Sequence, residues 1–323
     1  MTPVPEQVTA LAERRMQARS ERDFAAADAI RDQLAEQGWL VRDVPGGYQL
    51  TARPRYPVHA DLPALMRAVE HPVGAARRAT VGLLAEGWPD DLRRCVRGLV
   101  AHAPADVVVS VLDLGNVDGA GDALHELATA DPDRVEELHV AASSVGWGPA
   151  RAALLAADPA DVHIVMDIST VLYGDAISPL LGALDDPSVA AAGWRGANFD
   201  LDDAWRSVVD AGPGEVDVLL GYLMAVRRSA LAEGAGPDPK ARYYRNADLE
   251  LSLMLRERGS RLVVPVPPDR LPCRQERHRG YHDVDPDYRE RESRRNYDRL
   301  LRRFRGRTEL LAPRGPGRGG GLG

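Results

Sequence analysis

The sequence predicts an α/β fold: a mostly parallel sheet with helices on both faces, preceded by a small module of two helices and a β-hairpin. Three observations carry this. From about residue 78, apolar runs alternate with stretches of helical period. The runs are apolar throughout instead of at every second position, which marks strands covered on both faces, and therefore a parallel sheet between helix layers. A Pro- and Arg-rich stretch, "TARPRYPVHADLP", separates this region from residues 6–50, whose pattern differs. The expected divisions are 1–52 for the module, 53–74 for a linker, 75–307 for the α/β domain and 308–323 for a tail. The last dozen residues, "APRGPGRGGGLG", have almost nothing to bury and should be disordered.

In the module, "VTALAERRMQAR" places Val8, Leu11, Ala12 and Met16 at helical spacing. A second helix starts behind Asp23, whose carboxylate suits the free N–H groups of a first turn. It carries Phe24, Ala27, Ile30 and Leu34 on one face and stops at Gly38. "WLVRDVPGGYQL" alternates and turns at residues 45–47, as a hairpin does. In the α/β region "ATVGLLA" is the first strand, and "PDDLRRCVRGLVAHA" follows as a helix with Pro89 in its first turn, where a missing N–H costs nothing. "DVVVSVLDLGN" and "GAGDALHELATA", "VEELHVAAS" and "GPARAALLAA", then "DVHIVMD" and "AISPLLGALDD" continue the alternation of strand and helix. Ligands of such sheets gather at the carboxyl ends of the strands. Those ends carry Glu86, Asp113 and Asp167.

Composition narrows the function. With 44% apolar and 28% charged residues the chain is that of a soluble globular protein. A net charge of −7 argues against a surface built to coat nucleic acid. All but one of the 41 basic residues are arginine, the exception being Lys240; with abundant Ala, Gly and Pro this reads as GC-rich coding. Cys95 and Cys273 are too few and too far apart for a disulfide framework or a zinc site, and fit a reducing compartment. No apolar run reaches transmembrane length, and "MTPVPEQVTALAERR" lacks the basic start and apolar core of a signal peptide. A cytoplasmic location is expected.

Three places stand out for chemistry. Asp113, in "VLDLGNVDG", either accepts hydrogen bonds from a ribose or base, or caps a turn. "GWGPAR", residues 146–151, is either a glycine loop whose free N–H groups and Arg151 face a phosphate, or a plain helix entry. Asp167 ends an apolar strand with a single carboxylate, followed by Ile168, Ser169 and Thr170. At period two, Asp167 and Ser169 should face one side and Ile168 the other.

In order, the series of strand–Asp113, glycine loop–Arg151, strand–Asp167, "GYLMAVRRSAL" and "YYRNADLELSLMLRERG" resembles the family 2 glycosyltransferases of GT-A fold, over roughly residues 75–307. The resemblance implies a nucleotide-diphosphate sugar as donor, a hydroxyl acceptor on a cell-envelope glycan or lipid carrier, and inverting transfer. It assigns Glu86, Asp113 and Arg151 to the nucleotide, Asp248 to the role of base, and Asp167, with His278 of "RHRGYH", to Mg²⁺ or Mn²⁺. The chain departs from the family at two points. The metal strand ends Asp167–Ile168–Ser169 where two carboxylates are usual, and Arg245 and Asn246 stand where Glu-Asp is usual. With one carboxylate, the cation is expected to bind weakly, or only with the nucleotide's own oxygens. The alternative is a relative that has lost catalysis and binds nucleotide or RNA.

The N-terminal segment "ERDFAAADAIRDQLAEQGWLVRDVPGGYQL" resembles the C-terminal appendage of cysteinyl-tRNA synthetases. The rest of the chain lacks that enzyme's catalytic loops, one of which needs two lysines. The segment therefore reads as a docking module, for RNA or for another helical pair. The late stretch "RQERHRGYHDVDPDYRERESRRNYDRLLRRFRGR" offers either an anionic-membrane contact at the inner face of the plasma membrane, or an outer helix with Tyr297, Leu300, Leu301 and Phe304 turned inward. The inward helix is the reading favoured.

Overall fold

The structure, a computed structural model, describes residues 4–44, 46–69, 77–231 and 236–314. The expected disorder beyond residue 314, Pro45 of the hairpin turn and residues 70–74 of the expected linker fall outside them. The chain forms two compact units, Met1–Pro57 and Val58–Gly323.

The first unit holds α1 (Glu6–Ser20), α2 (Phe24–Glu36) and an antiparallel hairpin of β1 (Trp39–Val44) and β2 (Gly47–Ala52). Asp23 caps α2 as expected, accepting from the Ala26 N–H at 3.0 Å. Val8, Ala12, Ile30 and Leu34 make the core, with Trp39, Val41, Tyr48 and Leu50 of the hairpin against them. Two expected core residues are outside it: Met16 and Phe24 are 45% and 56% exposed. Arg15 is buried in their stead, because its guanidinium donates to both carboxylate oxygens of Asp43 on the hairpin, at 2.6 and 3.2 Å. That hydrogen bond, more than the charge alone, holds the Asp43 carboxyl below its ordinary range.

The second unit begins with α3 (Leu62–Ala68), then β3 (Ala79–Ala85), α4 (Pro89–His102), β4 (Val107–Leu114), α5 (Ala120–Ala130), β5 (Val135–Val140), α6 (Trp147–Ala157) and β6 (Val162–Met166). There follow β7 (Thr170–Leu172), α7 (Ser178–Ala183), β8 (Val189–Gly193), β9 (Gly196–Phe199), β10 (Val208–Ala211), β11 (Gly214–Glu215), β12 (Val218–Leu219) and β13 (Leu223–Arg227). The chain closes with α8 (Ala247–Arg256), β14 (Arg261–Val264), β15 (Cys273–Gln275), α9 (Arg279–His282) and α10 (Pro286–Phe304). The main sheet runs β11-β14-β8-β13-β6-β3-β4-β5. Strands β3, β4, β5 and β6 are mutually parallel, and β8 and β14 are parallel to each other. Strand β13 lies antiparallel between β6 and β8. The sheet is therefore mostly parallel, as its continuous apolar runs required.

Alternate residues of each strand feed two cores. Val81, Leu83, Ile164 and Met166 pack with Leu92, Val96 and Leu99 of α4 and Leu124 of α5 on one face. Leu84, Leu112 and Val165 pack with Leu65 of α3, Leu154 of α6 and Leu251 of α8 on the other. A third cluster joins Leu300 and Phe304 of α10 to Leu249 and Leu253 of α8, with Tyr297 and Leu301 half-buried beside them. The inward helix expected of the Arg-rich stretch is thus present. No helix of the described residues is long and apolar enough to cross a membrane.

The expected linker, 53–74, needs correction over its middle. His59 pairs with Val140 at the edge of the sheet, and α3 follows behind Asp61, whose carboxylate accepts from the Ala64 N–H at 2.8 Å. Leu65, 2% exposed, belongs to the sheet's core. Helical spacing was hidden there by three prolines in one short stretch.

Removing residues 1–57 should therefore leave a chain that unfolds cooperatively. Removing residues 1–74 should lower the melting temperature further, because it strips Leu65 from the core at a cost of about 2–4 kcal/mol. Differential scanning calorimetry of the two truncations tests this; equal melting temperatures would return α3 to the linker.

Candidate active site

Parallel strands bring their carboxyl ends to one edge. Glu86 follows β3, Asp113 is the penultimate residue of β4 and Asp167 follows β6. Because β13 is antiparallel, it brings Gly221 and Tyr222 to that edge and carries Arg227 to the opposite one. There Arg227 donates to the carbonyls of Val189 and Asp186 at 3.3 and 3.2 Å, and Arg228 donates to that of Ala160 at 2.9 Å. Both arginines fasten the far edge.

A cleft of about 260 Å³ opens at the near edge, and Glu86, Trp88, Arg151, Asp167, Tyr244 and His278 are among its walls. An adjoining recess shares Trp147, Asp167, Tyr244 and His278 and adds Tyr222, Arg245 and Asp248. Five of the residues singled out in the sequence thus meet in one place. Asp113 does not line it. Its carboxylate is 1% exposed and accepts from the Asn116 N–H at 3.1 Å, and it lies 3.1 Å from Nδ1 of His139. Of its two readings the turn cap is the one realised.

The glycine loop is corrected in the same way. The N–H groups of Trp147 and Gly148 donate to the carbonyls of Arg242 and Ala241, at 3.3 and 2.7 Å, and are not open to a phosphate. Gly148 is needed for that approach, since a Cβ there would stand 2.0 Å from the Asp238 carbonyl oxygen. Arg151 reaches the cleft but is 2% exposed, and its two terminal nitrogens donate to the carbonyls of Gly82 and, at 2.7 Å, Met166. It lies 3.7 Å from Asp167. Burial lowers its pKa, while the charges of Asp167 and Glu86 pull it back up. Glu86 is solvent-exposed where it lines the cleft, with protein packed close around its carboxyl. That desolvation raises its pKa, against the pull of Arg151 and with the push of Asp167.

The strand carrying Asp167 ends one residue earlier than the alternation assumed. Residues 167–170 form a turn closed by the Thr170 N–H on the Asp167 carbonyl at 2.9 Å, so Ile168 and Ser169 both line the cleft. The period-two rule stops applying where the strand stops. One Asp167 oxygen is 3.5 Å from Nε2 of His278, whose Nδ1 is 2.9 Å from the Tyr244 hydroxyl. When Tyr244 donates to Nδ1, the ring offers Nε2–H to Asp167. When it accepts, Nε2 offers a lone pair to a cation.

That pair suits a divalent ion. Adjacent ligands about an octahedral ion with bonds of 2.0–2.1 Å are about 3 Å apart, close to the 3.5 Å between Asp167 and His278. Among the described residues there is no group of three or more His, Cys, Asp or Glu placed to hold a metal, so the pair by itself is an incomplete cation site.

Asp248 is the second residue of α8, behind Asn246 in the left-handed region at φ 68°. Its carboxylate accepts from the N–H groups of Gly221 at 2.9 Å and Leu249 at 3.0 Å. Burial pushes its pKa up to about 6, with Asp167 adding to the rise and the two N–H groups opposing it. The sequence reading passed over the cleft's roof. Arg279 reaches Asp91 in the first turn of α4 at 3.1 Å, and the Tyr243 hydroxyl donates to the Gly280 carbonyl at 3.0 Å. The adjacent Tyr243–Tyr244 pair was the available signal, but which aromatic residues meet a distant loop is a tertiary fact.

Comparison with known proteins separates the two units. Residues 1–50 match the family of the cysteinyl-tRNA ligase anticodon binding domain. The cysteine–tRNA ligase of Opitutus terrae and one from Burkholderia lata are 51% identical over 47 residues, and that of Enterococcus faecalis is 57% identical over 44. The chain spans only about a tenth of the length of these ligases, and each match takes in 14 or 15% of the chain. Over most of its length the chain has the fold of GT-A glycosyltransferases. It is similar, at a TM-score of 0.53 and 17% identity, to a mannosyltransferase from Pyrobaculum calidifontis in complex with GDP-Man and Mn²⁺, covering 79% of this chain and 72% of that one. It is similar at 0.54 and 16% to GalNAc-T7 with UDP, GalNAc and Mn²⁺, covering 70% and 48%.

The elevated pKa of Asp248 has a stability consequence of definite sign. Below pH 3.8 the carboxyl is neutral in both states and costs nothing. As pH rises to about 6 the unfolded chain ionises first, so stability falls, by at most about 3 kcal/mol above that point. Asp248→Asn escapes this cost but leaves one of the two N–H groups poorly satisfied, an offset of about 1 kcal/mol. Its melting temperature should exceed that of the unmodified protein at pH 8 and fall below it at pH 4; a deficit at both would mean that Asp248 is not raised.

Proposed function

We propose that this chain is a glycosyltransferase that moves a sugar from a nucleoside-diphosphate sugar to a hydroxyl acceptor with inversion. The observation that carries the reading is the meeting of Asp167, His278 and Asp248 at the carboxyl edge of a sheet of GT-A type. In this reading Asp248 takes the acceptor's proton, the acceptor oxygen bonds to the anomeric carbon, and the bond from that carbon to the diphosphate oxygen breaks. With a pKa of about 6, Asp248 is ionised at neutral pH while remaining a stronger base than an ordinary carboxylate. Asp167 and His278 would hold a divalent cation, Mg²⁺ or Mn²⁺, which when bound supplies charge to the departing diphosphate. Arg151 keeps that corner from being purely anionic. Glu86, beside it, sets the depth of the donor pocket.

The finer reading is a donor bound in the cleft beside Glu86 and Arg151, an acceptor from a cell-envelope glycan or lipid carrier, and a cytoplasmic site of action. Residues 1–50 are read as a docking module, with RNA among the partners that its relatives suggest. The second reading, a nucleotide- or RNA-binding protein without catalysis, is favoured by one observation: a single carboxylate with one histidine where a fuller metal set would be expected.

Calorimetry with Mn²⁺ and UDP or GDP tests the first reading. Negligible Mn²⁺ binding to the free protein and clear binding with nucleotide present are expected, because among the described residues Asp167 and His278 are two ligands, short of a fuller set. Mn²⁺ should tighten the nucleotide by the same factor. Asp167→Ala should abolish the coupling. Full coupling in that variant would make Asp167 structural, and release of free sugar or product by the unmodified protein separates catalysis from binding alone.

A further inference from the structure

The recess around Asp248 contains a positive charge that the proposed transfer leaves unused. Arg245 lies three residues before Asp248 on the recess wall, and one of its terminal nitrogens donates to the Tyr281 hydroxyl at 3.2 Å. Its guanidinium carbon is 5.4 Å from the centre of the Tyr281 ring. Arg289 stands on the same ring at 4.0 Å and donates to the Tyr281 carbonyl at 2.5 Å. Among the described residues neither arginine has a carboxylate within ion-pair distance. Other arginines nearby are neutralised: Arg195, also in the recess, by Asp210 at 3.1 Å, Arg279 by Asp91 at 3.1 Å, and Arg299 by Glu250 at 2.6 Å. Two guanidinium groups gathered on one ring repel each other, and the cost falls when an anion joins them.

An unpaired arginine on a convex surface would be an ordinary solvated group. Arg245 differs in three respects. It faces a concavity, its direction is set by a ring and a hydroxyl, and it stands beside the group read as the base. Around it the walls are aromatic, with Trp147, Tyr222, Tyr244 and Tyr281. Flat aromatic walls suit a sugar or polyol, and a planar guanidinium suits an oxyanion on the same molecule. The recess already contains Asp167 and Asp248, which repel an anionic acceptor. Arg245 is placed to reverse that repulsion at one end while the hydroxyl to be glycosylated approaches Asp248 at the other.

We propose that this recess is the acceptor subsite and that Arg245 selects an acceptor carrying a phosphate. This rests on the glycosyltransferase reading for the word acceptor, and on the recess alone for the phosphate. The same chemistry arrives either on a soluble phosphorylated polyol or on a lipid headgroup.

The test uses the full chain, unmodified and as Arg245→Gln, with UDP and Mn²⁺ present and again without them. The probes are glycerol 3-phosphate, glycerol, and vesicles of phosphatidylglycerol or of phosphatidylcholine. Glycerol 3-phosphate should bind more tightly than glycerol, and Arg245→Gln should weaken it about tenfold while UDP affinity stays unchanged. Selective loss of phosphatidylglycerol vesicles in the variant would assign the phosphate to a lipid; loss of glycerol 3-phosphate alone would assign it to a soluble acceptor. Equal binding of both phosphate probes by the two proteins, or of glycerol and glycerol 3-phosphate by the unmodified one, overturns the proposal. If UDP binds neither protein the donor reading fails, and the arms without nucleotide still decide the phosphate subsite. Arg245 is exposed, so the variant should keep its melting temperature.

Discussion

The guanidinium of Arg151 is buried at the carboxyl edge of the sheet, where it donates to the carbonyls of Gly82 and Met166 and lies 3.7 Å from Asp167. A charge taken out of water is tolerated only when it is hydrogen-bonded and faced by opposite charge. Both conditions are met by the two strands that form the floor of the cleft. Strands β3 and β6 are tied to one side chain where the ladder between them runs out, and the tie decides where Asp167 begins. Burial shifts Glu86, Asp248 and Arg151 most, and Asp167 adds to the rise of Glu86 and Asp248 and supports the charge on Arg151.

In this arrangement the single carboxylate at the strand end gains a neighbour from a distant part of the chain. His278, 3.5 Å from Asp167, comes from more than a hundred residues later, on the segment that Arg279 fastens to α4 and Tyr243 fastens through Gly280. The roof and the floor are therefore held by different interactions, a buried guanidinium below and, above, an ion pair to the buried Asp91 carboxylate with an aromatic hydrogen bond.

The N-terminal unit follows a different logic. Its core is four aliphatic side chains with a hairpin laid against them, and a buried arginine joins helix to hairpin. So small a core gains little from hydrophobic burial alone. The Arg15–Asp43 pair ties the hairpin to the helix, and it is Arg15 that is buried where Met16 was expected. Helical spacing identified the helix correctly and misjudged its inner face by one residue, because an arginine with a hydrogen-bonded partner can be buried where an unpaired one cannot.

Much of the second unit was legible in the chain itself. Continuous apolar runs mark parallel strands because a strand covered on both faces cannot afford polar alternation, and every strand from residue 79 to 166 lies where its run lies. Their common direction also placed Glu86, Asp113 and Asp167 on one edge. What the pattern did not contain was the direction of each side chain after its strand had ended. Asp113 turned inward to His139 and the Asn116 N–H, the N–H groups of the glycine loop were taken by residues 241–242, and Ile168 turned into the cleft with Ser169. A residue's type and its strand are properties of the local sequence. Whether its polar atoms meet a ligand or another part of the chain depends on which distant groups reach them first, and only the tertiary structure decides that.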